Sequence, residues 1–320
     1  MNMLKIGYAR EAFSPDGPVR MNYQLTSTHV QAPICVTALL LQDDCSRVLI
    51  LDLDLRNTYK SFTSTVMPMI TQATGIPADE VIFAATHNHS CPEVMVYEDD
   101  AVRDWGDRIG FPAIVRAAVN AVADAKPVRR IWGGKANTDK LNFVRRYMLE
   151  DGSWRSVVSA NPSTARVVAH ENEADPEVRA VRIEREGGKD VVLVNYQMHA
   201  AGALNEFPDA VNADFVGAMR DKLEKEHDIH VLYMQGACGN INYVTKLDEE
   251  KHYLKEHYWQ VGEALADTVL TALSQGRELK NGKLKLRRGM LGCMVNHDKD
   301  HLAAAAQQIT DEPDEDKQKE

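Results

Sequence analysis

The stretch that decides the fold reads VIFAATHNHS and spans residues 81–90. Its first five residues are apolar and partly β-branched, which predicts a short buried strand. The strand leads directly into His87 and His89. Because side chains at i and i+2 of an extended segment point to the same side, both imidazoles can converge on one ion. The simpler interpretation is a pair of loop histidines that bind backbone groups, and H-x-H alone does not decide between them.

Strand and helix patterns alternate on both sides of this stretch. Residues 34–41 and 48–53 predict two neighbouring strands, and residues 62–74 predict a helix that Gly75 ends despite the internal Pro68. Further strands are predicted from residue 130 and at 181–184, 191–196 and 231–234, and further helices at 112–125, 215–226 and 258–272. We therefore expect an α/β fold with a mixed sheet flanked by helices. We expect one domain over residues 1–310 and a disordered, charged tail over residues 311–320.

Composition narrows the class of protein. The chain has 320 residues, of which 44% are hydrophobic and 26% charged, as in globular proteins that bury a core. A net charge of -10 argues against a nucleic-acid partner, which favours a basic surface. No apolar run approaches the roughly 18 residues of a membrane span. Five widely spaced cysteines without a C-x-x-C pair, and a first segment without an apolar run, predict a cytoplasmic protein.

A third histidine follows another predicted strand. His199 comes just after the apolar run at residues 191–196. The ends of two strands in one sheet can bring His87 and His199 within a few ångströms, and a catalytic zinc site commonly has three protein ligands plus water. Taken alone, His199 fits a hydrogen-bonded core histidine as well. We take His87, His89 and His199 as candidate metal ligands.

Two carboxylates are candidates to orient or supplement these ligands. Asp54 closes the predicted strand at residues 48–53, and a carboxylate there serves as a ligand, as a partner of a ligating histidine or as a loop cap. Asp214 precedes the predicted helix at 215–226, where a helix N-cap is the alternative role.

Other polar residues are candidates to bind the substrate. Arg145 and Arg146 can hold a carboxylate or phosphate with their guanidinium groups, or be a solvated basic pair. The turn at residues 236–242 follows a predicted strand and can offer backbone N–H groups to an oxyanion. Within this turn, Cys238 is either a nucleophile or inert packing. The candidate substrate contacts of the turn are Gly236, Asn240 and Asn242.

Several of these segments resemble neutral ceramidases. Residues 85–92 read ATHNHSCP and are similar to the family's G-T-H-T-H-S-G-P segment, and residues 195–200, NYQMHA, resemble its N-W/Y-x-x-H-x segment. DPEV at 175–178, ADFVG at 213–217 and Asn142 with the following Arg145-Arg146 resemble further family stretches in the same order. The resemblance extends over roughly residues 1–290.

The resemblance implies a fold, a cofactor and a reaction. In the family, the positions of His87 and His199 are zinc ligands, and the position of His89 lies beside the metal and helps to bind the reacting group. A glutamate and a tyrosine from a later segment complete the zinc shell. The family hydrolyses the amide bond of N-acyl sphingosines with water as the nucleophile.

The chain departs from the family pattern in two places. The family's G-D-V-S-P-N segment corresponds here to residues 239–243, GNINY, so that Asn242 replaces an important serine and Asn240 replaces the acidic residue. The later segment with the glutamate and tyrosine has no match. Either Asp54, Asp214 or water completes the shell, or the shell is incomplete.

Two functions follow as hypotheses. The first is a zinc-dependent hydrolase of an amide or ester bond in a small molecule, with His89, Asn242, Asp54 and Asp214 assisting catalysis. The second is a catalytically degraded relative that binds a small molecule or a protein.

Overall fold

A computed structural model describes residues 4–96, 99–156, 166–280, 283–287 and 289. Met1–Leu286 form one compact unit, which contains every element described below. The predicted single domain over residues 1–310 extends past the described residues and stays a prediction, and the predicted tail at 311–320 lies outside them.

The secondary structure of the described residues alternates between strands and helices. The strands are β1 Lys5–Ala12, β2 His29–Val30, β3 Cys35–Gln42, β4 Arg47–Leu53, β5 Val81–Ala85, β6 Lys126–Asn137, β7 Phe143–Val144, β8 Arg146–Leu149, β9 Trp154–Ser156, β10 Val167–His170, β11 Glu177–Arg185, β12 Asp190–Tyr196, β13 Ala210–Val211, β14 Ile229–Gln235, β15 Ile241–Asn242 and β16 Arg277–Leu279. The α-helices are α1 Lys60–Thr74, α2 Asp100–Trp105, α3 Phe111–Ala123, α4 Gly202–Glu206, α5 Asp214–Glu226 and α6 Tyr258–Ser274.

Within the described residues, nine strands form one mixed sheet. Eight of them lie in the order β14-β12-β11-β6-β1-β3-β4-β5, and β16 pairs with β6. Two neighbouring pairs in this sheet, β4 with β5 and β12 with β14, are parallel, and the others are antiparallel. The prediction of a mixed α/β sheet is confirmed.

The first hairpin and helix form where their sequence patterns predict them. β3 and β4 pair antiparallel from Val36 opposite Leu53 to Gln42 opposite Arg47. Helix α1 begins two residues earlier than predicted and accommodates Pro68. It ends at Gly75, whose φ of 67° lies in the left-handed region, which glycine adopts without a steric penalty.

Helix α5 differs from its prediction at its first residue. The helix begins at Asp214 itself, after Ala213, rather than with Asp214 as the N-cap. The Asp214 carboxylate accepts the N–H of the next residue, Phe215, at 2.7 Å and the N–H of Ala203 at 2.8 Å. Asp214 therefore accepts one N–H of the first turn of α5 and also ties the start of this helix to α4.

The buried residues form three apolar clusters. In two of them helices pack on the sheet, and the third lies between the two halves of the sheet. One cluster packs α1 and α3 against β3 and β4, and a second packs α5 and α6 against β11, β12 and β14. Residues from both halves of the sheet, among them Tyr8, Leu39, Ile183 and Leu232, form the third. β14, at one end of the strand order, also contacts β4 and β5 at the other end. This approach brings the carboxyl ends of β4, β5, β12 and β14 together.

Among the described helices, none combines the length and apolar composition that a membrane crossing requires.

Candidate metal centre

The three predicted histidines lie together in the loops that follow two strands, β5 and β12. His87 follows β5, and His199 follows β12. Their Nε2 atoms are 3.1 Å apart. The ring of His89 lies 5.0 Å from that of His87 and 5.4 Å from that of His199, measured between centroids. The structure thus brings together the H-x-H segment and His199, which are separate motifs in the sequence.

Backbone contacts join the two histidine-bearing loops. The N–H of His89 donates to the carbonyl of Ala200 at 2.9 Å, and Asn88 forms a parallel bridge with the same residue. His87 has a φ of 59°, in the left-handed region that non-glycine residues rarely occupy. Such strain often occurs at functional sites, where the surrounding structure holds the residue in place.

Asn88 is a buried structural residue that the sequence reading did not identify. Its side-chain amide donates to the carbonyl oxygens of Asp54 at 3.2 Å and Asn212 at 2.8 Å, and its oxygen accepts the N–H of Ser90 at 3.0 Å. A single side chain therefore fixes the H-x-H segment to the end of β4 and to the loop before α5. Its position between two histidines was the only signal in the sequence.

The hydrogen bonds of His87 and His199 leave the same nitrogen free in both rings. His87 donates from Nδ1 to the carbonyl of Arg56 at 2.9 Å. His199 donates from Nδ1 to the carbonyl of Cys238 at 2.7 Å, with the Ile241 carbonyl at 3.0 Å. Since each neutral ring carries its hydrogen on Nδ1, each Nε2 presents a lone pair. Carbonyl groups that fix the tautomer in this way are typical of ligating histidines.

The facing lone pairs fit a shared cation. Two lone pairs at 3.1 Å repel each other unless a proton or a metal ion lies between them. Two nitrogens bound to one tetrahedral zinc ion lie roughly 3.3 Å apart, as zinc–nitrogen bonds of about 2.0–2.1 Å require. The observed separation is close to this value, so His87 and His199 fit as ligands of one ion.

Burial keeps the three imidazoles neutral. Loss of hydration lowers the pKa of His89 to about 3 and that of His199 to about 4, and it also lowers the pKa of His87. In each case desolvation is the main cause, and the positive charge of Arg145 lowers the pKa further. Neutral imidazole is the form that binds metals.

Cys238 lies close to His87 and His199. Its sulfur and one ring nitrogen of each histidine all lie within 4.8 Å of one another, so the three residues could hold a metal ion. It is the one such group of three or more histidine, cysteine or carboxylate residues in the described part of the chain, and it does not include His89. Cys238 follows strand β14 as His199 follows β12, and this strand-end position was the signal that the sequence reading left undecided.

His89 lies beside this group with one ring nitrogen free. Its Nε2 is buried and has no hydrogen-bond partner among the described residues. The hydroxyl of Tyr23 lies 3.4 Å from its Nδ1, and the two rings stack with centroids 6.0 Å apart. Tyr23 is 62% exposed, so it forms part of the outer surface next to the centre.

The two predicted carboxylates do not contribute to the cluster. Both oxygens of Asp54 accept from the guanidinium of Arg220, at 2.9 and 2.6 Å, and one also accepts the N–H of Cys35 at 2.8 Å. The oxygens of Asp214 accept from Ala203 and Phe215. Neither carboxylate belongs to the group of possible metal ligands in the described part of the chain, and the role predicted for Asp54 and Asp214 stays a prediction.

Only one residue of the predicted arginine pair lies near the histidines. Arg145 is partly buried, and its guanidinium donates to the Gly239 carbonyl at 2.6 Å. Arg146 is exposed and pairs with Glu171 at 2.8 Å. Arg146 thus matches the surface alternative, and Arg145 keeps its predicted place beside the turn.

The turn at residues 236–242 offers fewer free groups than predicted. The N–H of Gly236 already donates to the Tyr196 carbonyl at 2.8 Å, so it cannot serve an oxyanion in this conformation. Asn242 accepts the N–H of Tyr243 at 2.9 Å, which leaves its side-chain amide hydrogens available. Asn240 is exposed, and its carbonyl accepts the N–H of Arg145 at 2.8 Å.

A separate cavity lies away from the histidines. It has a volume of about 630 Å³, and its lining includes Lys140, Asn142, His170 and Glu250. His170 and Glu250 are hydrogen-bonded at 2.7 Å. Asn142 connects this region to the candidate metal centre, because its amide donates to the carbonyl of Gln197, two residues before His199.

Comparison with solved structures identifies the fold. The neutral ceramidase from Pseudomonas aeruginosa matches with a TM-score of 0.65 and 16% identity, over 86% of this chain and 45% of that chain. A ceramidase complexed with C2 matches with a TM-score of 0.64 and 16% identity, over 86% of this chain and 44% of that chain. The chain therefore spans less than half the length of these two proteins.

Sequence comparison alone does not find this similarity. No protein-family model matches the chain, and no curated protein matches it. The described chain nevertheless shares the α/β fold of the neutral ceramidase structures, which confirms, at the level of the fold, the resemblance that its motifs implied.

Proposed function

We propose that the chain carries the metal centre of a hydrolase that cleaves an amide or ester bond. The observation that supports this most strongly is the pair of Nε2 lone pairs of His87 and His199, which face each other at 3.1 Å while both Nδ1 atoms donate to carbonyl groups. This arrangement suits a bound divalent cation, and zinc is the ion that these ligand types favour. The shared fold with ceramidases makes amide hydrolysis the first reaction to test.

The metal and the side chains have separate tasks in this proposal. When bound, zinc polarises the carbonyl of the substrate and lowers the pKa of water toward neutrality, so no protein nucleophile is required. His87 and His199 hold the ion, and the carbonyls of Arg56 and Cys238 keep both rings in the ligating tautomer.

His89 is the residue best placed to contact the reacting group. If the Tyr23 hydroxyl donates to Nδ1, the ring hydrogen of His89 resides on Nε2, which is buried and free of described partners. An N–H in that position donates a hydrogen bond to a developing oxyanion. The amide of Asn242 and the guanidinium of Arg145 are further donors for the substrate.

The substrate class follows from the fold relationship and the departures in the turn. We propose an N-acyl amide or an ester, with ceramide as one member of the panel to be tested rather than as the assigned substrate. Asn242 stands where neutral ceramidases carry a serine, so it contributes a hydrogen-bond donor instead of a hydroxyl.

The test is hydrolysis of a panel of N-acyl amides and esters, including ceramide, by metal-free and zinc-reloaded protein. We expect activity only after reloading, with none for His87→Ala. A matched control is His29→Ala, because the side chain of His29 is exposed and hydrogen-bonds to its neighbour Thr28. Activity of the metal-free protein equal to that of the reloaded protein would contradict the proposal.

A binding protein remains the second candidate function. The cavity of about 630 Å³ around His170 and Glu250 supports it, because small-molecule sites are commonly pockets of this size. If the second function holds, the chain binds zinc weakly or not at all and hydrolyses nothing, while a small-molecule screen by thermal shift identifies ligands that His170→Ala no longer binds.

A further inference from the structure

We infer that Cys238 is the third protein ligand of the metal, as a thiolate, and that His89 is left free to contact the substrate. This inference rests on the proposed metal centre and specifies its ligand set. It replaces the expectation of three histidine ligands with a set of His87, His199 and Cys238.

The distances favour this set over three histidines. The sulfur of Cys238 and the ligating nitrogens of His87 and His199 lie within 4.8 Å of one another, whereas His89 is not part of that group. In a tetrahedral zinc site, a bound sulfur and a bound nitrogen lie roughly 3.6 Å apart, as zinc–sulfur bonds of about 2.3 Å require. The 4.8 Å within which the three atoms lie exceeds this separation by roughly 1.2 Å.

Cys238 also fixes the orientation of one of its partners. Its carbonyl accepts the Nδ1 hydrogen of His199 at 2.7 Å, and the same carbonyl accepts the N–H of Ile241 at 2.9 Å. At the start of the turn, the N–H of Gly236 donates to the carbonyl of Tyr196. At its end, β15 pairs with β7. The sulfur is therefore presented by a turn that is already anchored without metal.

A thiolate supplies the negative charge that the predicted carboxylates do not. Asp54 and Asp214 are committed to other partners, and no carboxylate joins the group of possible ligands among the described residues. Two neutral imidazoles leave the full charge of a divalent ion in a partly buried site, which is costly. Arg145 also contributes a positive charge at this position.

The binding step is a simple exchange. The S–H bond of Cys238 breaks, its proton passes to solvent, and the sulfur electron pair forms the bond to the metal. No atom is oxidised or reduced. Metal binding therefore releases a proton from this residue.

Cobalt(II) replaces zinc in such sites and reports its ligands by absorption. The test is a Co²⁺ titration of the metal-free protein, of Cys238→Ser and of Cys45→Ser, an exposed cysteine that serves as the matched control. We expect the wild type and Cys45→Ser to show a near-ultraviolet thiolate-to-cobalt charge-transfer band. We expect Cys238→Ser to lack this band. Its affinity for Co²⁺ should fall by more than the roughly 10–100-fold that is lost when a hydrogen-bonding partner of a metal ligand is removed.

The outcomes separate this inference from the proposed function. Bound Co²⁺ with visible d–d bands but no charge-transfer band in the wild type overturns the cysteine ligand and leaves the metal centre standing. Failure of the wild type to bind Co²⁺ or Zn²⁺ overturns both. Circular dichroism of Cys238→Ser checks that it folds. Alkylation of wild-type Cys238 is a second measurement that needs no variant, and we expect metal to slow it while Cys45 reacts at an unchanged rate.

Discussion

The Arg220 guanidinium donates two hydrogen bonds to the Asp54 carboxylate, from Nη1 to Oδ1 at 2.9 Å and from Nη2 to Oδ2 at 2.6 Å, and both side chains are buried. Arg220 lies on α5, and Asp54 follows β4, so this ion pair joins a helix to the strand end beside the candidate metal centre. A carboxylate at a strand end next to histidines suggests a ligand from sequence alone. Here the carboxylate neutralises a buried guanidinium instead.

Asp54→Asn should therefore lower stability and leave the metal ligands in place. Removing one member of a buried ion pair leaves the other charge uncompensated, which costs about 3–5 kcal/mol. We expect the free energy of unfolding in urea to fall by this amount while the folded variant still binds about one equivalent of zinc. A variant of normal stability that has lost its zinc would show that Asp54 is a ligand.

Asp52 should make the stability of the protein depend on pH. The residue is buried, neither carboxyl oxygen has a hydrogen-bond partner among the described residues, and burial followed by the charge of Asp54 raises its pKa well above the usual range. A carboxyl with a raised folded-state pKa contributes stability that is fully present below its unfolded pKa of about 3.9 and is lost as pH rises through the folded pKa.

Asp52→Asn removes this ionisation. We therefore expect the free energy of unfolding of the variant to increase relative to that of the wild type as pH rises from about 4 to about 8. The measurement is the free energy of unfolding in urea at both ends of that range. Asp44→Asn, at an exposed position in the same hairpin, controls for the loss of one charge. A constant difference between Asp52→Asn and wild type at all pH values would contradict the prediction.

Close packing of α3 on β1 should not tolerate a side chain at Gly7. A Cβ added there would lie 1.8 Å from the carbonyl oxygen of Ala121, which belongs to the helix backbone and cannot rotate away. We expect Gly7→Ala to destabilise the protein by about 1–3 kcal/mol or more, as overpacking does. Gly17→Ala, which meets nothing within 4 Å, should be close to neutral. Equal thermal melting of the two variants would contradict this packing.

Asn88 should control metal affinity without touching the metal. Asn88→Ala leaves the carbonyls of Asp54 and Asn212 and the N–H of Ser90 without their partner, so His87 and His89 lose their anchor. We expect zinc affinity to fall roughly 10–100-fold, as loss of outer partners does. Asn120→Ala is the control, because it removes a side-chain hydrogen bond from the exposed Asn120 to the Glu11 carboxylate. A loss of stability with unchanged zinc affinity would reduce Asn88 to a purely structural role.

The sheet and the histidine cluster were predictable because their signals are local. Alternating strand and helix patterns predicted β3, β4, β5, β12, β14 and the helices near them. The H-x-H segment and His199 each follow a predicted strand, and strand ends of one sheet meet at one edge. The strand order, and the approach of β14 to β5, depend on long-range packing that no short segment specifies.

The partners of charged side chains were not predictable for the same reason. Asp54 and Arg220 are 166 residues apart in the chain, so only the folded structure shows that they pair. Cys238 had the sequence signals of a reactive residue and of an inert one, and its distance to two histidines favours a third role. Arg145 and Arg146 are adjacent, yet strand β8 begins between them and directs one to the turn and the other to solvent.

The metal centre itself is tested most directly by calorimetric titration of zinc into metal-free protein. We expect binding of about one equivalent for the wild type and for His29→Ala, and no comparable binding for His87→Ala or His199→Ala, because each removes one of the two facing Nε2 atoms. Unchanged zinc binding by both His87→Ala and His199→Ala, or no zinc binding by the wild type, would contradict a metal centre at these histidines.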